Sequence, residues 1–194
     1  MNRRRVNYLN FFKTVGKSKR LARSGWVREK VNDPESVAEH SFRVGVLAML
    51  LADELNVNKE KLMKMALIHD LSMNVTGDKV WVRWGIVDIK AREEKEEKEI
   101  RGIVGLFHQM KQGDEFIKIF EELLGRSSKE SKIFWQLDKL EMAMQALEYE
   151  EEQNKNLEEF FVTAGLYIRD PLIVDILKEI LKSRPFRERI AYKE

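Results

Sequence analysis

Two segments, 36–55 and 59–70, space their apolar residues three and four positions apart, and each carries a histidine inside its apolar stripe. In the first, Val37, His40, Val44, Leu47 and Leu51 share one helical face; in the second, Leu62, Met65, Ala66 and His69 do. A buried face that includes an imidazole must meet a polar partner, and this requirement constrains the fold more than any other feature of the chain. Asp70 follows His69 directly, about 100° further round a helix. Helices that bury these two faces bring both imidazoles and a carboxylate into one core. Neutral imidazoles and a carboxylate are ligands for a divalent ion. Taken singly, either histidine could be a hydrogen-bonded core residue, and Asp70 could simply end its helix before the Gly77–Asp78 turn. Together they point to a site.

The remaining chain reads as further helices. The segment 6–15 packs as a first helix, followed by a basic stretch to Arg23 and an interruption at Ser24, Gly25 and Trp26. Asn32, Asp33 and Pro34 form a loop, because the residue before proline is disfavoured in the helical region. Ser36 with Glu39 three positions on is a capping box. After Asp70 the chain is irregular to Ile89. Asn74, Thr76, Gly77 and Asp78 make a polar turn there, and Trp81 and Trp84 add aromatic surface suited to a wall or lid.

The run 91–106, opening AREEKEEKEIRG, pairs opposite charges at spacings of three and four and reads as a solvent-exposed helix. Helices over 115–124 and 128–152 follow, the second with Ile133, Leu137, Leu140, Met144 and Leu147 at core spacing. Asp138 lies beside that stripe among Phe134, Trp135 and Met142, a second carboxylate in apolar company and the natural fourth ligand. A salt bridge to Lys132 or Lys139 is its competing role, but neither spacing puts a lysine on its face. Glu141 and Arg169 suit supporting or structural pairing, and His108, near a helix end, reads as surface. Two last helices within 157–181 break at Asp170–Pro171, and the charged tail 182–194 is expected to fray. Seven to nine helices, no convincing strand and no internal repeat give an all-α, irregular helical bundle, a single domain over 1–194.

Composition narrows the function classes. There is no cysteine, which excludes disulfides and thiolate zinc sites and suits a reducing cytoplasm. No run approaches the roughly 18 apolar residues of a membrane span, and MNRRR is not followed by an apolar signal core, so a cytoplasmic protein without membrane attachment is expected. The net charge of +2 conceals an asymmetry, with ten Lys or Arg in residues 1–30 against Glu29 alone. That basic N-terminal helix and loop suits solvent or a small phosphate-bearing substrate. No nucleic-acid motif accompanies it, so nucleic acid is not the expected partner.

The order His40, then His69–Asp70, then Asp138 on successive helices resembles the HD-domain metal-dependent phosphohydrolases. ESVAEHS at 35–41, ALIHDLSMNVTGD at 66–78 and QLDKLEM at 136–142 resemble that superfamily's 5'-deoxynucleotidase branch, over most of 23–165. The resemblance implies that His40, His69, Asp70 and Asp138 bind one divalent ion. Cobalt, manganese, magnesium, iron and zinc all accept such ligands. It also implies an enzyme that removes the 5'-phosphate from deoxyribonucleoside monophosphates by metal-activated water, and a homodimer. Trp26 would lie against the sugar, where a large ring excludes a 2'-hydroxyl, and Arg23 near the phosphate. Asp78 would bind the nucleotide, fix its loop or assist catalysis. Glu39, beside His40, is a further catalytic candidate, with the capping box as its alternative role.

One position departs from the pattern. Related enzymes carry a glutamate three residues after the HD aspartate, where this chain has Met73. A thioether cannot exchange a proton. The alternatives are therefore an HD enzyme acting on a nucleoside triphosphate or signalling nucleotide, and a nucleotide-binding regulatory protein with weakened turnover.

Overall fold

The computed structural model describes residues 6–78, 80 and 82–186, without the Val82 side chain. Arg3–Arg5, the lid residue Trp81 and the tail past 186 lie outside the described residues. Helix α1 (Tyr8–Val15) and a 3-10 segment (Gly16–Arg20) lead into α2 (Ser24–Arg28), α3 (Val37–Leu51) and α4 (Lys59–Ile68). A single turn, α5 (Met73–Thr76), and the hairpin β1 (Val82–Arg83) and β2 (Ile86–Val87) precede α6 (Ile89–Phe107) and α7 (Gly113–Gly125). The chain ends in α8 (Lys129–Gln153), α9 (Glu158–Tyr167) and α10 (Pro171–Ser183). The fold is all-α.

Local chemistry sets the helix ends. Ser36 Oγ accepts from Glu39 N at 3.3 Å while Glu39 Oε2 accepts from Ser36 N at 2.6 Å, completing the capping box that starts α3. Asn154 ends α8 in the left-handed conformation, and Asp170 caps α10 with Pro171 in its first turn. The ten α-helices among the described residues exceed the seven to nine expected. The additions, α2 and α5, are single turns inside stretches that read as interruptions, too short for periodicity to show. The hairpin was also unforeseen; Trp84 and Gly85 both take positive φ, 50° and 74°, as a tight two-residue turn requires.

Helix α3 packs on α4 and α8, and α8 in turn on α9 and α10. Val44 and Ala48 of α3, Leu62, Met65 and Ala66 of α4, and Phe134, Leu137 and Leu140 of α8 are fully buried. Each such leucine or phenylalanine contributes about 1.5–3 kcal/mol of burial. Phe42, Met49 and Leu50 on the other side of α3 face solvent.

Helix α6 is only partly the exposed helix its charge predicts. Glu99, Ile103 and Phe107, at successive i+4 positions, are buried. Gly102 permits this close approach, since a Cβ there would sit 3.1 Å from the Ser72 Cβ.

Candidate metal and substrate site

His40 from α3, His69 and Asp70 at the end of α4, and Asp138 from α8 converge at the centre of the bundle, all buried. The ligand atoms of His40, His69 and Asp70 lie within 4.8 Å of one another. Asp138 Oδ1 is 3.1 Å from His40 Nε2 and 4.0 Å from His69 Nε2. The Ala66 carbonyl, 2.8 Å from His69 Nδ1, can only accept, so Nδ1 carries the proton and Nε2 presents its lone pair. That Nε2 is buried without a hydrogen-bond partner among the described residues, 3.2 Å from Asp70 Oδ2. A lone pair turned towards two carboxylates is repulsive unless a cation lies between them. The donor set, two imidazole nitrogens and two carboxylates, fits a divalent ion of hard or borderline character.

The support behind these groups is equally defined. Glu141, with no exposure, takes the hydrogen bond of His40 Nδ1 and that of Arg43 Nε at 3.0 Å. Phe134 packs against the His69 ring at 5.0 Å between centroids. Burial opposes ionisation of Asp138, but Lys139 and His40 outweigh it and hold the carboxyl well below its usual range. Burial opposes ionisation of Asp70 too, and the Arg23 guanidinium beside it favours the charged form, so it is likewise lowered. Burial and Arg23 depress the His40 pKa, yet Glu141 and Asp138 prevail and push it up to about 10, so a divalent ion at the site would have to displace the His40 Nε2 proton.

The imidazole of His69, with Asp70 and Asp138, forms one wall of a cavity of about 110 Å³. Arg23, Trp26, Met73, Asp78, Lys95 and Lys139 line much of the rest. Arg23 Nη1 is 3.4 Å from Asp70 Oδ2. Asp78 Oδ2 accepts from Ser24 N at 2.7 Å and from Ser24 Oγ at 2.9 Å, tying the loop after α5 to the start of α2. Trp26 is 1% exposed; it stacks on Phe160 at 4.2 Å and donates from Nε1 to Glu35 Oε1 at 2.8 Å. Arg23, Trp26 and Asp78 thus share the cavity with His69, Asp70 and Asp138, while His40 lies behind them.

Glu39 does not join them. Its carboxylate is spent on the cap of α3, and it lines a separate surface groove with Lys19, Phe42 and Arg43. Trp84 stands at the hairpin tip beside another cleft, near Asn156 and Glu159. Arg169 bonds the carbonyls of Gly165, Leu166 and Ile168 at the end of α9, a structural role. His108 is exposed.

Four features of the site escape the sequence reading. Lys139 does reach Asp138, with Nζ 2.8 Å from Oδ2: its long stem folds back where spacing alone predicts divergence. Glu35 lies buried within reach of His40 and Glu141, because the bridge between Ala22 and Ser36 fixes the strand-like segment before α3. Lys95 and Glu99 are an ion pair at 2.7 Å inside the charge run of α6. Glu141 was singled out, but its partner His40 lies in another helix.

A family profile for the HD domain matches residues 15–178. The zebrafish (Danio rerio) protein "5'-deoxynucleotidase HDDC2" is 37% identical over 182 residues, covering 92% of this chain and 88% of that one. The human (Homo sapiens) protein of the same name is 33% identical over 180 residues, covering 91% and 85%. Among solved structures, "PH0347 protein" from Pyrococcus horikoshii OT3 aligns with a TM-score of 0.74 at 32% identity, covering 91% of this chain and 99% of that one. A conserved hypothetical protein from Pyrococcus furiosus gives the same TM-score at 31% identity, covering 90% and 99%. With helices, buried His–Asp cluster and sequence in agreement, the chain belongs to the HD domain family.

Proposed function

We propose that this protein is a metal-dependent 5'-deoxynucleotidase, converting a deoxyribonucleoside 5'-monophosphate and water to the deoxynucleoside and inorganic phosphate. The observation that carries this is the orphaned His69 Nε2 between Asp70 and Asp138, at the wall of a cavity that also holds Arg23 and Trp26. The relatives named 5'-deoxynucleotidase support it. His40, His69, Asp70 and Asp138 would hold one divalent ion, which supplies a polarised phosphoryl oxygen and a water of lowered pKa.

The chain's own groups do the rest. Arg23 takes phosphate oxygens as a fixed donor fork. Trp26, pinned by Phe160 and Glu35, is a rigid face for the sugar and has no freedom to yield to a 2'-hydroxyl. Asp78 holds the α2 turn that carries Trp26 and, as a cavity carboxylate outside the ligand set, would take a proton from the attacking water. Glu39, committed to its cap, is the weaker catalytic candidate. As the P–O5' bond breaks, the proton taken up by Asp78 is returned to the leaving O5', and the deoxynucleoside departs. The solvent-facing Phe42, Met49 and Leu50 of α3 support a homodimer, and the lack of cysteine a reducing cytoplasm. A reading as a nucleotide-binding regulator with slow turnover rests on Met73, 6% exposed on the cavity wall.

Phosphate release from deoxyribo- and ribonucleoside mono- and triphosphates, with several divalent ions, tests the reading. Metal-dependent release from deoxyribonucleoside monophosphates is expected. Release from triphosphates alone, or nucleotide binding without release, overturns it, and equal rates on ribonucleotides reject the role of Trp26.

A further inference from the structure

Four cationic side chains line the cavity, and they differ in what they are bound to: Arg28 pairs with Glu29 and Glu159 at its outer side. Arg23 is held by Asp70, and Lys139 by Asp138, both carboxylates that a divalent ion would claim. Lys95 instead pairs with Glu99, one turn along its own helix and outside the ligand set. Its side chain is 13% exposed and Glu99's 3%, so the pair is fixed by packing and not by solvent chance. An ammonium carries three donors, and the 2.7 Å contact with Glu99 Oε1 is an ion pair without hydrogen-bond geometry. Burial lowers the Lys95 pKa, but Glu99 and Asp70 outweigh it, so the group stays charged.

We infer that Lys95 is a substrate-binding residue that donates to the phosphate from the α6 side of the cavity, with Glu99 as its positioning residue. This rests on the function proposed above and adds to it a second cation, besides Arg23, that recognises phosphate. A dianion entering beside Asp70, Asp78 and Asp138 meets carboxylates that already occupy the divalent ion, Arg23 and Lys139, so a cation paired outside that set is needed to receive it. Of the two cavity lysines, Lys95 is the one whose counter-ion lies outside the ligand set. Its place in a solvated-looking charge run hides this in the sequence.

The test uses the full chain loaded with metal. Lys95→Gln leaves Glu99 buried without its cation, so the double variant Lys95→Gln/Glu99→Gln, neutral and similar in shape, accompanies it. Calorimetry measures inorganic phosphate binding, and steady-state rates give KM and kcat for deoxyribonucleoside monophosphates. Both variants are expected to bind phosphate about 10- to 100-fold more weakly and to raise KM by a similar factor, as loss of a charge-assisted hydrogen bond implies. Metal content and inhibition by the phosphate-free deoxynucleoside should not change. Phosphate affinity within twofold of the unaltered protein in the folded double variant overturns the inference, as does equal weakening of the phosphate-free ligand. If the unaltered protein hydrolyses no nucleotide, the proposed function fails, while the phosphate titration still judges Lys95.

Discussion

Replacing Glu141 with Gln tests whether the ligand geometry depends on a group that would not touch the metal. The carboxylate accepts two charge-assisted hydrogen bonds, from His40 Nδ1 and from Arg43 Nε at 3.0 Å. A glutamine has one acceptor oxygen, so its amide N–H₂ must face one of these donors. Arg43 is also held by Glu148 at 2.6 Å and Gln145 at 2.5 Å, so it keeps its place and competes for the remaining oxygen. The loss therefore falls on His40. One charge-assisted hydrogen bond is worth about 1.5–3 kcal/mol, and loss of the partner that orients a ligating imidazole weakens metal binding about 10- to 100-fold. That corresponds to about 1.4–2.7 kcal/mol of binding free energy. Calorimetric titration with manganese or cobalt, beside a thermal melt, measures both quantities. Metal affinity within twofold of the unaltered protein, in a variant that melts normally, would refute the reasoning.

The other predictions concern the ligands, the departed glutamate and pH. Asp70→Ala should abolish stoichiometric metal binding, because charge and geometry go together; undiminished affinity by titration removes Asp70 from the ligand set. Met73→Glu, on the wall shared with Asp78 and Lys95, should raise turnover about 100-fold, the lower end for a general acid or base, because the new carboxylate must be desolvated. An unchanged or lower rate in a folded, metal-loaded variant shows that another group already serves. Burial, with repulsion from Glu141, pushes the Glu35 pKa from 4.5 up to about 7. Between those values the folded state holds a proton that the unfolded chain has lost, so this group's contribution to stability falls as pH rises. Glu35→Gln keeps the acceptor for Trp26 Nε1 and removes the titration. Its Tm should gain on the unaltered protein from pH 4.5 to 7 and level off above; a constant difference contradicts the shift.

The parts of the site carried by helical periodicity were readable in advance. His40 and His69 fall on stripes with Val44 and Met65; the second stripe is buried throughout, and the first is buried from Val37 to Val44 but only partly at Leu47 and Leu51. Asp138 was visible because a carboxylate beside Phe134 and Leu137 has no solvated alternative. Lys95 and Glu99 were not, since pairs at i, i+4 look the same on a solvated face and on a packed one. What separates them is the neighbour that covers the helix, here the segment through Ser72, and no local pattern specifies it. Lys139 was misjudged because face geometry describes where a Cβ points, not where a four-carbon stem can carry an ammonium. Glu35 lies in a segment without helical period, and its burial comes from Trp26 and Tyr149 reaching it from elsewhere in the fold.

Gly102 sits about two turns along α6 from Lys95, with no charge, no proton and no side chain. Its bare backbone lies where any larger residue would meet Ser72. The register of α6 against the loop that follows His69 and Asp70 is set there, and the reach of the ammonium into the cavity follows from it. Within this fold, a change from glycine to a bulkier residue would retune the cavity's electric field without altering one ionisable group. The chemistry of such a site can therefore depend on a position that no inventory of reactive side chains would include.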